Sequence, residues 1–268
     1  MRLQDKVVLV TGAGRGIGRA LCREARRRGA AGIVVADLDG ALANATAAEL
    51  GGLGLQCDVA DAMAVESMVR AAEAHYGRID VLVSNAGFGA QALDLDDALS
   101  APDATWQRMW DVHVMAHAHA CRAALPGMLA RGSGCLVNVA SAAGVLSQVG
   151  DTPYSVTKHA AVGLAESLAI TYGDRGIQVA VVCPQYVATA ITGLDESTAP
   201  GTLPGVLTVE QAASAIVDGI EGGGFLILTH PEVLGFFQRK AGDYDRWLAG
   251  MRRVRDSVRS GGFLKVKG

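Results

Sequence analysis

Long apolar runs are missing from this chain: no stretch approaches the length of a membrane span, which excludes a transmembrane helix. Paired cysteines are missing too. Cys22, Cys57, Cys121, Cys135 and Cys183 stand singly with no C-x-x-C pair, and an odd number cannot all pair within one chain, so they suit a reducing cytosol and burial as small apolar residues. No basic block precedes residue 250 and the net charge is −3, which argues against nucleic acid and for small molecules as partners. The first strand begins within six residues of Met1, which leaves no room for a signal peptide, and a cytoplasmic protein is expected. What is present is 268 residues with 50% hydrophobic content, enough for one large α/β domain and too short for two, so residues 1–268 read as a single domain.

The organising stretch is Val7-Val8-Leu9-Val10-Thr11 followed by Gly12, Ala13, Gly14, Arg15, Gly16, Ile17 and Gly18. A β-branched run that breaks into glycines and then into a helical pattern reads as strand, tight turn and helix. Glycines let the backbone approach a ligand closely, and the unpaired N–H groups at a helix start favour a phosphate. The spacing is T-G-x-x-x-G-x-G rather than G-x-G-x-x-G, since the latter frame would place Ile17 or Arg19 where its last glycine belongs. A second apolar run, Ile33 to Ala36, ends at Asp37, where dinucleotide-binding folds place an acid on the adenosine ribose diol. An acid there repels a 2′-phosphate and the next residue is Leu38, so NAD is favoured over NADP; Arg15 points the other way or lies along the diphosphate.

Strands and helices then alternate: a helix over about 39–50, a strand over 53–57 ending at Asp58-Val59, a helix capped by Asp61 and stopped by Gly77, and a strand over 79–84 running into Asn85-Ala86-Gly87. Residues 105–131 read as one long helix with many small apolar positions. His113 and His117, four apart on it, lack a carboxylate or cysteine at ligand spacing, so packing is preferred over a metal and no metal site is expected. A strand over 134–140 ends at Ser141, Thr152-Pro153 opens a helix to Gly173, and strands over 177–183 and 225–228 complete about seven. Near-continuous apolar strands alternating with helices predict an α/β fold: a doubly wound, Rossmann-like parallel sheet covered on both faces. The glycine turn, Asp37, Asp58, Asn85, Ser141 and Pro184 each follow the carboxyl end of a strand, where open α/β sheets bind ligands.

Tyr154 and Lys158, four apart, share one face at a helix start. A free phenol, with pKa about 10, is a poor base near neutrality, and a neighbouring ammonium together with the positive ring of NAD⁺ favours phenolate. Ser141 is placed to hold the substrate oxygen while Tyr154 takes the alcohol proton and hydride leaves carbon.

These motifs, with Asp58-Val59, Asn85 to Gly87, Tyr154-Ser155-Val156-Thr157-Lys158 and Pro184 through Thr189, resemble the short-chain dehydrogenase/reductase family over roughly residues 4–190. The resemblance implies that Asp58 and Val59 contact adenine, that Asn85, Ala86 and Gly87 line the central cofactor path, that Lys158 also holds the nicotinamide ribose, and that Val187 with Thr189 bind the carboxamide. It also implies a flexible substrate lid, for which residues 190–208 have the composition. Two positions depart from the family pattern. His113 replaces a usual Asn, which suggests either a proton relay made sensitive near neutral pH or a space-filling residue at a backbone kink. Gln185 replaces a usual Gly, so Gln185 and Tyr186 are expected to help select the substrate.

Residues 236–268 form an amphipathic, basic, aromatic extension; packing over the substrate pocket or against a neighbouring subunit is preferred to lying on a membrane surface. The expected activity is NAD-dependent oxidation of a moderately apolar secondary alcohol, reversibly, by a homodimer or homotetramer, with Ala142, Ala143, Val145, Leu146, Val149 and Tyr186 lining the pocket. Two alternatives stay open: an NADP-linked ketone reductase, and a redox-inactive NAD-binding regulatory protein.

Overall fold

A computed structural model describes residues 1–89, 94–194, 196 and 205–261. Its first half alternates β1 (Val7–Thr11), α1 (Gly16–Arg27), β2 (Gly32–Asp37), α2 (Gly40–Leu50), β3 (Leu53–Gln56), α3 (Ala62–Tyr76) and β4 (Val81–Ser84). Then come α4 (Asp103–Trp110), α5 (Ala116–Ala130), β5 (Gly134–Val139), α6 (Thr152–Tyr172) and β6 (Ile177–Val182). The remainder holds β7 (Tyr186–Val187), β8 (Val206–Leu207), α7 (Val209–Gly222), β9 (Leu226–Ile227), α8 (Glu232–Gly242) and α9 (Tyr244–Arg259).

Seven strands form one parallel sheet in the order β3-β2-β1-β4-β5-β6-β9, the doubly wound Rossmann-like arrangement expected from the sequence. The strand order reverses between β1 and β4, and the crevice above that switch point is where such sheets take ligands. Side-chain alternation divides the core between the two faces. Leu9, Leu82 and Leu136 join α3, α5 and α6 on one side. Val8, Val10, Val83 and Val137 join α1 and α7 on the other. All five cysteines are buried and unpaired.

Caps follow the sequence pattern. Asp61 accepts from the amides of Met63 and Ala64 at the start of α3, and Gly77, at φ +77°, ends it. At α6 the cap is Asp151, whose carboxylate accepts from the Tyr154 amide at 3.1 Å and so fixes the first turn that carries Tyr154.

The expected single helix over 105–131 is instead two α-helices joined by a π-turn, Asp111–Met115. The wide turn takes in an extra residue and directs His113 fully inward, an arrangement that three- and four-residue spacing cannot signal. The second finding absent from the sequence reading is a parallel pair, β7 with β8, Tyr186 opposite Val206 and Val187 opposite Leu207. Two-residue strands carry no periodicity to detect. This pair ties together the two ends of the expected lid, 190–208, of which 195 and 197–204 lie outside the described residues. No described helix is long and apolar enough to cross a membrane.

Candidate active site

The glycine turn is built for close approach. Gly12 and Gly16 have φ of +62° and +61°, a region that side-chain-bearing residues avoid. A Cβ on Gly12 would sit 2.7 Å from the Cα of Ala86, and one on Gly18 would sit 2.3 Å from the Gly12 carbonyl oxygen and 2.6 Å from Asn85 Nδ2. Gly18 therefore lets α1 press against the turn. Thr11 and Asn85 lock β1 to β4: the Thr11 hydroxyl accepts from the amides of Asn85 and Ala86 at 3.0 and 3.2 Å, and Asn85 Nδ2 donates to the carbonyls of Thr11 and Gly12 at 2.9 and 3.1 Å. Asn85 thus braces the turn through its side chain, and Thr11 was visible in the motif without its role being legible.

The start of α1 already holds a carboxylate. Glu196 accepts from the Gly16 amide at 2.9 Å and from Arg19 at 2.7 Å, so the anion cradle attracts negative charge by its own chemistry and fits a dinucleotide diphosphate. Arg15 and Ile17 flank it, exposed and half-buried respectively. Asp37, at the end of β2, accepts from the amides of Gly14 and Asp39 at 2.8 and 3.1 Å. Its carboxylate stands beside the turn, where a ribose diol fits. Asp58 pairs with Arg108 at 3.3 Å, and Val59 beside it is buried.

On the other side of the switch point, β5 delivers Ser141, whose Oγ accepts from the Ala143 amide at 3.1 Å and caps the 3₁₀ turn Ala142–Gly144. Tyr154 and Lys158 follow on α6. Lys158 is 3% exposed, its Nζ donates to the Val139 carbonyl at 3.2 Å and stands 5.5 Å from the Tyr154 ring centroid. Burial lowers Lys158 to about 8. The same burial pushes the Tyr154 phenol above its usual value, opposed by a hydrogen bond with Ser141. The sequence reading joined Lys158 with a bound nicotinamide ring; among the groups that shift Tyr154 in the chain itself, burial comes first.

His113 is fully buried and edge-on to Tyr154, ring centroids 5.6 Å apart. The Thr157 hydroxyl donates to the Pro153 carbonyl at 2.8 Å, so it accepts from His113 Nδ1 at 2.9 Å, and Nε2 in turn accepts from the Phe88 amide at 3.2 Å. Both ring nitrogens are filled. Burial first, then Lys158 and His117, hold the imidazole near 2, so it stays neutral at physiological pH. The pH-sensitive relay expected of His113 is therefore corrected to a positioning role between the Phe88 backbone and α6. Among the described residues no cluster of His, Cys, Asp and Glu is arranged to hold a metal.

Beyond β6, Pro184, Gln185, Tyr186, Val187 and Thr189 lead from the sheet edge into the segment that carries Glu196. His230 was missed by the sequence reading. Its Nδ1 accepts from the Gln185 amide at 3.3 Å, and its Nε2 donates to the Tyr186 carbonyl at 3.1 Å, pinning this backbone beside the site. The available signal was its place just past the last strand, at the same carboxyl edge. Of the expected pocket lining, Ala142, Ala143 and Val145 are buried in the core, and Leu146, Val149 and Tyr186 are partly exposed. A groove of about 920 Å³ opens nearby between Phe88, Met109, Pro153 and Arg259.

The short chain dehydrogenase family matches residues 6–199. The chain is 37% identical over 194 residues to a 2-keto-3-deoxy-L-fuconate dehydrogenase of Xanthomonas campestris pv. campestris, covering 72% of this chain and 62% of that relative's length. It is 36% identical over 199 residues to a D-threitol dehydrogenase of Mycolicibacterium smegmatis, covering 71% and 73%. In structure it resembles a short chain dehydrogenase/reductase of Burkholderia phymatum solved in complex with NAD, with TM-score 0.81 and 28% identity over 91% of this chain and 96% of that one.

Proposed function

The chain belongs to the short-chain dehydrogenase family, and from that premise we propose that it transfers hydride reversibly between NAD and a secondary alcohol or its ketone, with Tyr154 as acid and base. The observation that carries this reading is the meeting of Ser141, Tyr154 and Lys158 at the same sheet edge as the Gly12–Gly18 turn and Asp37.

When bound, NAD supplies the hydride acceptor. The turn's amides at the start of α1 would hold the diphosphate, and Asp37 would accept from the ribose diol while opposing a 2′-phosphate. Asp58 and Val59 would border the adenine, Asn85, Ala86 and Gly87 the middle of the dinucleotide, and Val187 and Thr189 the carboxamide. Ser141 Oγ donates to the substrate oxygen. Tyr154 Oη takes the alcohol proton in oxidation and returns it to the carbonyl oxygen in reduction. Burial disfavours both the phenolate and the Lys158 ammonium, so Tyr154 would depend on the positive ring of a bound oxidised dinucleotide to act as base. Gln185 and Tyr186, held by His230, shape the substrate side. A small-molecule alcohol or ketone as partner, a homodimer or homotetramer and a cytoplasmic location complete the proposal.

The test is a spectrophotometric scan of a chemically diverse alcohol panel with NAD⁺ and with NADP⁺ at alkaline pH, repeated with Tyr154→Phe. The expected result is NAD⁺-preferring turnover that the variant lowers at least about a thousandfold, since proton transfer and orientation act together. Turnover by Tyr154→Phe at the parent rate would overturn the mechanism, and absence of turnover across the panel with retained NAD binding would favour a regulatory dinucleotide-binding protein.

A further inference from the structure

Lys240 lies on α8, past the family-matched residues, and is 6% exposed. A buried ammonium is costly unless its donors are filled. Here they are filled without a carboxylate. Nζ donates to the Val145 carbonyl at 2.9 Å, to the Leu146 carbonyl at 2.8 Å and to His159 Nε2 at 3.2 Å. His159 Nδ1 donates to the Ser155 carbonyl at 2.8 Å, which leaves Nε2 as the acceptor. Three donors therefore meet three acceptors. The faces of Trp247 and Tyr244, 5.0 and 5.6 Å away on α9, complete the enclosure.

The two carbonyls belong to the stretch that connects Ser141 with Tyr154. One end of that stretch is the 3₁₀ turn capped by Ser141, packed so tightly on α6 that a Cβ on Gly144 would lie 2.6 Å from the Lys158 carbonyl oxygen. Near the other end, Ser155 Oγ accepts from the Gln148 amide at 2.8 Å. Lys240 fastens the middle. The far end of α9 is fastened as well: Arg259 donates to the Leu95 carbonyl at 3.2 Å and pairs with Asp96, on the wall of the 920 Å³ groove.

We infer that Lys240 is a positioning residue for the substrate half of the site: it holds the connection between Ser141 and Tyr154 from a helix pair that the cofactor half does not use. The inference rests on the hydride-transfer reading for its kinetic consequence and on the hydrogen bonds alone for its structural one.

The experiment uses the full chain. Lys240→Met keeps the apolar stem and removes the donors, leaving two buried carbonyls unfilled; Lys240→Arg keeps charge and donors; His159→Leu removes one acceptor from an exposed position. With the best alcohol of the panel, Lys240→Met is expected to lower kcat/KM about tenfold or more, His159→Leu about threefold, and Lys240→Arg least, while the NAD dissociation constant stays within about twofold of the parent. Native-state hydrogen exchange is expected to quicken at the Leu146 and Gln148 amides and not in α1. Parent kcat/KM in a folded Lys240→Met, or a parallel loss of NAD affinity, overturns the inference. A parent that turns over no alcohol instead overturns the hydride-transfer reading, and the exchange pattern then decides Lys240 by itself; if Lys240→Met does not fold, His159→Leu decides by the same two readouts.

Discussion

Glu196 holds the Gly16 amide at the start of α1, where the proposed diphosphate site lies, and replacing it with Gln should tighten NAD binding. The carboxylate accepts from the Gly16 amide at 2.9 Å and from Arg19 at 2.7 Å, with the ion-paired side chains 33% and 26% exposed. Such a partly solvated ion pair is worth about 0.5 kcal/mol and at most about 1 kcal/mol. Changing the acceptor on the Gly16 amide from charged to neutral removes a further amount of about 0.5 kcal/mol after solvent screening. A diphosphate must displace both contacts, so the carboxylate opposes it by about 1 kcal/mol, or roughly fivefold in the dissociation constant. Isothermal titration of Glu196→Gln should therefore show NAD binding about fivefold more tightly. Adenosine, which lacks the phosphates, should bind equally to both proteins. The effect should also shrink as salt is raised toward 1 M, because the contacts are partly exposed. Equal shifts for NAD and adenosine, or weaker NAD binding by the variant, would refute the reasoning.

Four further outcomes follow from the buried groups, the turn and Asp37. Burial holds His113 near 2 and His117 near 3, so below about pH 6.5 the unfolded chain takes up two protons that the native fold refuses. From this pair, stability present above that pH should be lost as pH falls, by up to about 2.7 kcal/mol per pH unit, and His117→Leu should lower the slope of urea stability between pH 6 and about pH 4 by up to about 1.4 kcal/mol per pH unit; an unchanged slope would contradict the assignment. The same neutrality means that His113→Asn should leave the pH profile of alcohol oxidation unshifted, a displaced limb being the contrary result. Gly18→Ala would press a methyl to 2.3 Å from the Gly12 carbonyl oxygen, and the forced shift, costing about 1–3 kcal/mol, should weaken NAD binding about tenfold or more; parent affinity would show that the turn has slack. Asp37→Ser should lower the ratio of NADP to NAD Michaelis constants about tenfold or more by removing like-charge repulsion, and an unchanged ratio would place the 2′-phosphate elsewhere.

The parts of the site that sequence made legible are those whose chemistry is written within a few residues. Val7 to Gly18 states a strand, a turn and a helix start in twelve consecutive residues, and Tyr154 and Lys158 share a helix face by spacing alone. What escaped depends on partners distant in the chain. His230 meets Gln185 and Tyr186 across 45 and 44 positions, and Lys240 meets Val145 and Leu146 across 95 and 94. The Tyr154 phenol escaped for a different reason. A nearby lysine suggests acidity on paper, yet desolvation has the opposite sign and depends on burial that only packing reveals. Ala142, Ala143 and Val145, expected to line the substrate pocket, are buried, and apolar residues suit either a pocket wall or the core.

The π-turn at Asp111–Met115 is a one-residue device set within the rod from Asp103 to Ala130. A wide turn absorbs one extra residue, so deleting one residue from it would restore ordinary winding while leaving the helices on either side roughly in phase. Ala116, Ala120 and Ala124, buried in the core that α5 shares with the sheet, would keep their place, and the inward aim of His113 is what would be lost. The extra residue thus sets the aim of one imidazole without disturbing the packed seam that follows it.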